Sequence, residues 1–179
     1  MSNSHKKRNL APDTLEAAAA AVMRTAVASG TPVALAGGLA LQLYGSTRLT
    51  GDVGFVAERA MPEYPPERRL SFGGYASNVG GVPLDLILRD DDFEPLYQEA
   101  LRDAMPHPTL PGAVIRPEFL VAMKMVAGRK RDEADLEFLL TEADLDVAST
   151  RQIVYRFLGP YAAREFDQAL QIARWRAER

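Results

Sequence analysis

The sequence predicts an α+β fold in which a mixed sheet comes first and a helical cluster follows. Three observations point there. Short apolar runs bounded by Gly and Pro alternate with helical segments between residues 12 and 57. A stretch of alternating polarity, 70–88, carries two Gly-Gly pairs of the kind that turn hairpins. Beyond residue 116 every periodic segment has helical spacing. Strands first and helices afterwards is the order of a sheet with helices packed on it. With 179 residues, 47% of them hydrophobic and 25% charged, the chain supports one sizeable core.

The elements follow in order. Pro12 and Asp13 open a helix whose alanine-rich body runs from Leu15 to Ser29; Gly30 closes it and Pro32 prevents its continuation. Val33 to Ala36 is an apolar run between Pro32 and Gly37, as expected of a buried strand. Leu39 to Tyr44 reads as a short helix ended by Gly45, and Val53 to Ala57 as a second strand. Glu58 to Arg69 is rich in Pro, Glu and Arg and is expected to be a loop. The 70–88 stretch reads as a meander of two or three strands. In the last of them Val82, Leu84, Leu86 and Leu88 share one face, and Pro83, Asp85 and Ile87 the other.

Asp92 to Ala104 is amphipathic with a helical period, and Ala113 to Ile115 is a short strand. Pro117 takes the first helical position of a helix that stops at Gly128. Asp132 is expected to cap the next helix, and two more follow, about 149–158 and 160–177. The expected division is a basic disordered tail at 1–11, an α/β core at 12–112 and a mainly helical part at 113–179 packed on that core.

Composition removes several chemistries. The formal net charge is -3, a weak basis for broad nucleic-acid binding. Without cysteine there are no disulfides, thiolate metal sites or cysteine nucleophiles. The two histidines, His5 in a polar tail and His107 between prolines, make no histidine metal site or Ser-His-Asp triad. Lys6, Lys7 and Arg8 are not followed by an apolar core, so the start is not a secretory signal. No run approaches the ~18 apolar residues of a membrane span. The expectation is a cytoplasmic protein without a membrane partner.

The candidate chemistry gathers around the first two strands. Glycines directly after a buried strand permit positive φ and close backbone approach, and the Gly37-Gly38 pair opens a helix whose N-terminal N–H groups favour phosphate. The competing reading is a tight turn required only for packing. Asp52 then stands at the start of a strand. Two carboxylates at i and i+2 there would project from one face and hold Mg²⁺ against the oxygens of a nucleoside triphosphate. Position i+2 is Gly54. Asp85 sits mid-strand among apolar residues, where an ionised carboxylate must be exposed, paired or bound to metal.

Together these residues resemble the nucleotidyltransferase superfamily, in its minimal and abortive-infection toxin-type branches. The family pattern is an apolar residue, Gly, then Gly or Ser, a spacer, Asp-x-Asp or Asp-x-Glu, and a third Asp on a later strand. Ala36-Gly37-Gly38, Asp52 and Asp85 match it, with Asp52-Val53-Gly54 as a degenerate Asp-x-Gly. Downstream, the run from Phe119 to Leu136, with Met123-Lys124, Ala127-Gly128-Arg129 and Arg131-Asp132-x-x-Asp135, is similar to the toxin-type branch.

The resemblance implies a nucleotidyltransferase-like mixed sheet flanked by helices. It implies NMP transfer from an NTP to an RNA (such as tRNA) or protein acceptor with Mg²⁺ or Mn²⁺. Asp52 and Asp85 would be the catalytic metal ligands, and Gly37, Gly38, Lys124 and Arg131 would bind the nucleotide. A toxin–antitoxin or phage-defence role, with a cognate toxin or antitoxin chain, follows from the same branch; antibiotic modification ranks below it. Lys124 lies in an otherwise apolar helix, which favours a placed charge. Asp132 and Asp135 read as helix-start acids, and so do Asp90, Asp91 and Asp92.

Gly54 removes one carboxylate from the expected set. The expected consequence is impaired transfer. Three outcomes stand open: the protein is an inactive pseudoenzyme that binds a nucleotide or partner; Glu58 or the Asp90–Asp92 run substitutes for the missing ligand in a weak enzyme; or the motif is aligned elsewhere.

Overall fold

The computed structural model describes residues 9–179, except the side chain of Arg131. The basic tail expected over 1–11 falls mostly in 1–8, outside the described residues. α1 (Pro12–Ser29) buries Leu15, Ala18, Ala19, Val22, Met23 and Ala26, one stripe at helical spacing, and ends on Gly30. β1 (Val33–Ala36) leads directly into α2 (Gly37–Leu43), and β2 (Val53–Ala57) follows. Within the segment expected to be loop lies a two-residue edge strand, β3 (Arg68–Arg69). β4 (Tyr75–Val79) and β5 (Val82–Ile87) form the predicted hairpin across Gly80-Gly81.

α3 spans Glu94–Arg102, shorter than the expected 92–104, because Asp91 and Phe93 form the turn before it. Two short strands, β6 (Met105–Pro106) and β7 (Ala113–Val114), flank a loop, and α4 (Pro117–Ala127) and α5 (Lys130–Thr141) follow. α6 (Val147–Ala177) is two helical stretches joined at a kink: Gly159 has φ 89° and ψ 177°, and Pro160 follows it. This matches the two final helices expected from the sequence.

The strands form one seven-stranded sheet in the order β3-β4-β5-β2-β1-β7-β6. β2 runs antiparallel to β1 and parallel to β5, and β7 runs parallel to β1. The sheet extends to Val114, where β7 pairs with β1 on one side and with the edge strand β6 on the other. Register places Leu35, Phe55 and Leu86 in one row on the core face, each fully buried. The neighbouring row, Ala36, Gly54 and Asp85, points to the opposite face. α4, α5 and α6 pack against one another as the helical part, and α3 packs on both β2 and α4. No helix among the described residues is long and apolar enough to cross a membrane.

Candidate active site

The glycine turn is fixed by two separate constraints. Gly37 has φ +67°, a conformation that side-chain-bearing residues rarely adopt. A Cβ on Gly38 would stand 2.8 Å from both Cβ and Oγ1 of Thr50, so the start of α2 lies directly against the entrance to β2. Buried Thr50 in turn donates a 3.0 Å hydrogen bond from Oγ1 to Oδ1 of Asp52. The glycine pair, Thr50 and the first carboxylate are thus consecutive contacts.

Gly54 is opposite Asp85 in the parallel β2–β5 ladder and opposite Ala36 in the β1–β2 ladder. Asp52, two residues before Gly54, and Asp85 line one cavity together with Gly37, Gly38 and Gly54. A Cβ on Gly54 would be 3.7 Å from the Ala36 carbonyl oxygen, an ordinary contact. The backbone there would accept a carboxylate; the residue does not supply one.

Four cations and two aromatic rings, Arg48, Arg89, Lys124, Arg129, Phe72 and Tyr97, line the cavity as well, beside apolar residues that include Leu120 and Met123. Lys124 reaches it in an unexpected state. Its Nζ donates to Asp132 Oδ1 at 2.9 Å and to Asp135 Oδ2 at 2.6 Å, and both carboxylates are 1% exposed. Arg48 grips Asp135 with both ends of its fork, Nε to Oδ1 at 2.5 Å and Nη2 to Oδ2 at 3.0 Å. Arg129 donates to Asp132 Oδ2 from Nε at 2.9 Å and from its backbone N–H at 3.0 Å. Arg129 also lies over the Phe72 ring, 5.4 Å from its centre.

Asp132 is therefore not the cap residue expected from the sequence. Arg129 is the cap, and Asp132 is the third helical residue, reaching back to it. Burial alone would raise its carboxyl, but hydrogen bonds from Arg129 and Lys124 outweigh burial and hold it below the usual carboxylate range. Asp135, expected to be a first-turn acid, is the central anion between Arg48 and Lys124. Arg131 lies on α5, but its side chain is outside the described residues.

Arg89, also in the lining, is held by Asp91, Nη2 to Oδ2 at 2.8 Å, and lies over Phe93 and Tyr97 at 5.3 and 4.9 Å. Asp91 itself accepts from the Phe93 N–H, as an acid before a helix does. Neither Glu58 nor Asp90, Asp91 or Asp92 lines the cavity.

The chain matches no protein-family model, and no curated protein matches it. Solved structures do. An antigenic nucleotidyltransferase-like protein from Paracoccidioides brasiliensis superposes with a TM-score of 0.51 at 15% identity, over 92% of this chain and 95% of the other. JHP933 from Helicobacter pylori superposes with a TM-score of 0.50 at 18% identity, over 93% of each chain. The chain has the nucleotidyltransferase fold.

The resemblance read from the sequence implies divalent metal at the carboxylates. The two carboxylates lining this cavity, Asp52 and Asp85, supply hard oxygen ligands suited to Mg²⁺. They do not amount to a full two-metal set. No group of three or more His, Cys, Asp or Glu suited to a metal occurs among the described residues. The glycine turn and both carboxylates named from the sequence line this cavity together. Arg48, Thr50, Arg89 and Arg129 line it too and were not among the residues expected there, because their partners are brought together only by folding.

Proposed function

We propose that this cavity binds a nucleoside triphosphate with Mg²⁺, and that Gly54 leaves the protein a nucleotide-binding module with impaired NMP transfer. The register of Gly54 beside Asp85 carries this reading, because a third carboxylate would project there into the same cavity. Asp52 and Asp85 would hold the metal, which when bound screens the phosphate charge. Arg48 and Arg129, each partly exposed at the cavity, would contact the triphosphate. In this reading Lys124 anchors those arginines through Asp132 and Asp135, and Gly37 and Gly38 form the opposite backbone wall.

A second reading is slow transfer to an RNA or protein acceptor, in a toxin–antitoxin or phage-defence setting. It is favoured by the retention of two carboxylates in one cavity. Calorimetry with ATP, CTP, GTP and UTP in Mg²⁺, paired with labelled-NTP transfer to RNA and protein, separates the two. The binding-module reading expects binding without labelling, and labelling once Gly54→Asp is introduced. Labelling by the unaltered chain selects the transferase, and no binding of any nucleotide rejects both.

A further inference from the structure

We infer that Phe72, in the turn between β3 and β4, is the platform on which the planar base of the nucleotide stacks. This rests on the nucleotide-binding reading above and adds the place of the base within the cavity. The chain has seven phenylalanines. Phe55, Phe119 and Phe166 are buried in the core, and Phe93, Phe138 and Phe157 pack against it. Phe72 belongs to neither group; it is half-buried and lines the cavity. A ring that the core does not use still has apolar area to cover, and a ligand in this cavity can cover it.

Two glycines hold the turn in place. Gly73 and Gly74 have φ +96° and +89°. A Cβ on Gly73 would stand 2.6 Å from the Leu88 carbonyl oxygen, and one on Gly74 would collide with that of Leu86. No side chain fits at either position, so the turn lies pressed against the backbone at the end of β5. Its own bonds close it: Gly73 N–H donates to the Leu70 carbonyl at 3.3 Å, and Leu70 N–H to the Gly74 carbonyl at 3.0 Å. The Arg129 guanidinium lies over the ring, 5.4 Å from its centre. A ring fixed in this way before a ligand arrives costs little further ordering on binding.

Strand order decides which end of the ligand meets the ring. β4, β5, β2 and β1 are neighbours in that order. Along them the lining runs from Phe72 before β4, through Asp85 on β5 and Asp52 before β2, to Gly37 and Gly38 after β1. With the phosphates toward the carboxylates and the glycine turn, the base falls at the other end, against Phe72. Arg129 covers part of the ring, and the base stacks on what is left. Aromatic stacking accepts every base, because each has a π-face. The ring therefore favours a nucleotide over bare phosphate without choosing one nucleotide among four.

The test is calorimetry of the full chain in Mg²⁺ with ATP, CTP and inorganic tripolyphosphate, which carries the phosphates without a base. Phe72→Ala, shown to be folded by circular dichroism, is expected to weaken ATP and CTP about tenfold and to leave tripolyphosphate unchanged. Phe72→Tyr, which keeps the ring, restores both nucleotides. Equal weakening of nucleotides and tripolyphosphate overturns the inference, because the ring then only shapes the site. Unchanged binding of both nucleotides, or a loss confined to one of them, overturns it as well. Each of these results leaves nucleotide binding intact. If tripolyphosphate does not bind the unaltered chain, loss in Phe72→Ala and recovery in Phe72→Tyr decide from the nucleotides alone. Failure of the unaltered chain to bind either nucleotide overturns the nucleotide reading itself.

Discussion

Gly38 and Gly54 show how differently two glycines of one site are constrained. Any side chain at position 38 collides with Thr50 at 2.8 Å, so the helix start and the strand entrance would have to separate. Gly38→Ala is expected to cost about 1–3 kcal/mol, the usual range for overpacking a close contact. Gly54→Ala meets only an ordinary 3.7 Å contact in extended backbone. It is expected to be neutral or to stabilise by about 0.5 kcal/mol, since glycine is entropically costly in a strand. Urea unfolding of both variants checks the pair, and equal destabilisation would refute this account of the turn. The sequence made both glycines conspicuous and said nothing of this difference, because Thr50 meets Gly38 only after the chain has passed through α2.

At the scale of elements, the ion network fastens α4 and α5 to the segment between α2 and β2. Lys124→Met leaves Asp132 and Asp135 buried with one cation fewer, and is expected to destabilise by about 3 kcal/mol at neutral pH. The network also sets an acid limit. The folded carboxyl of Asp132 lies below its ordinary value. Its contribution to stability is therefore full above pH ~5 and is lost as the pH falls below ~4 through the lower folded value. Urea midpoints measured from pH 7 down to pH 3 should fall steeply in the unaltered protein and more gently in Lys124→Met. Equal slopes would show that the network does not govern the acid limit.

The elements themselves were readable from apolar period, proline and glycine, from α1 through β2 and again from Pro117 to Gly128. The network was not. Arg48 and Asp135 are 87 residues apart, and acids at the start of a helix carry the same local pattern whether they cap it or pair with a buried lysine. Strand order was hidden for a related reason: β7 joins β1 as a two-residue strand, too short to show a period of its own.

For the whole molecule, the cavity's walls come from both the sheet and the helical part: Asp52 and Asp85 from one side, Leu120, Met123 and Lys124 of α4 from the other. A ligand there should stabilise both parts together. At a hundredfold excess over its dissociation constant, nucleotide with Mg²⁺ is expected to add about 2.7 kcal/mol. Amide exchange should slow in β2, β5 and α4 alike, and protection confined to the sheet would place the ligand elsewhere. The Gly54 position has a consequence of another kind. The turn, the register and the ion network make no use of a side chain at that position, and a Cβ there meets only the Ala36 backbone. A small neutral residue could therefore come and go at this one site without the lineage passing through an unstable ancestor.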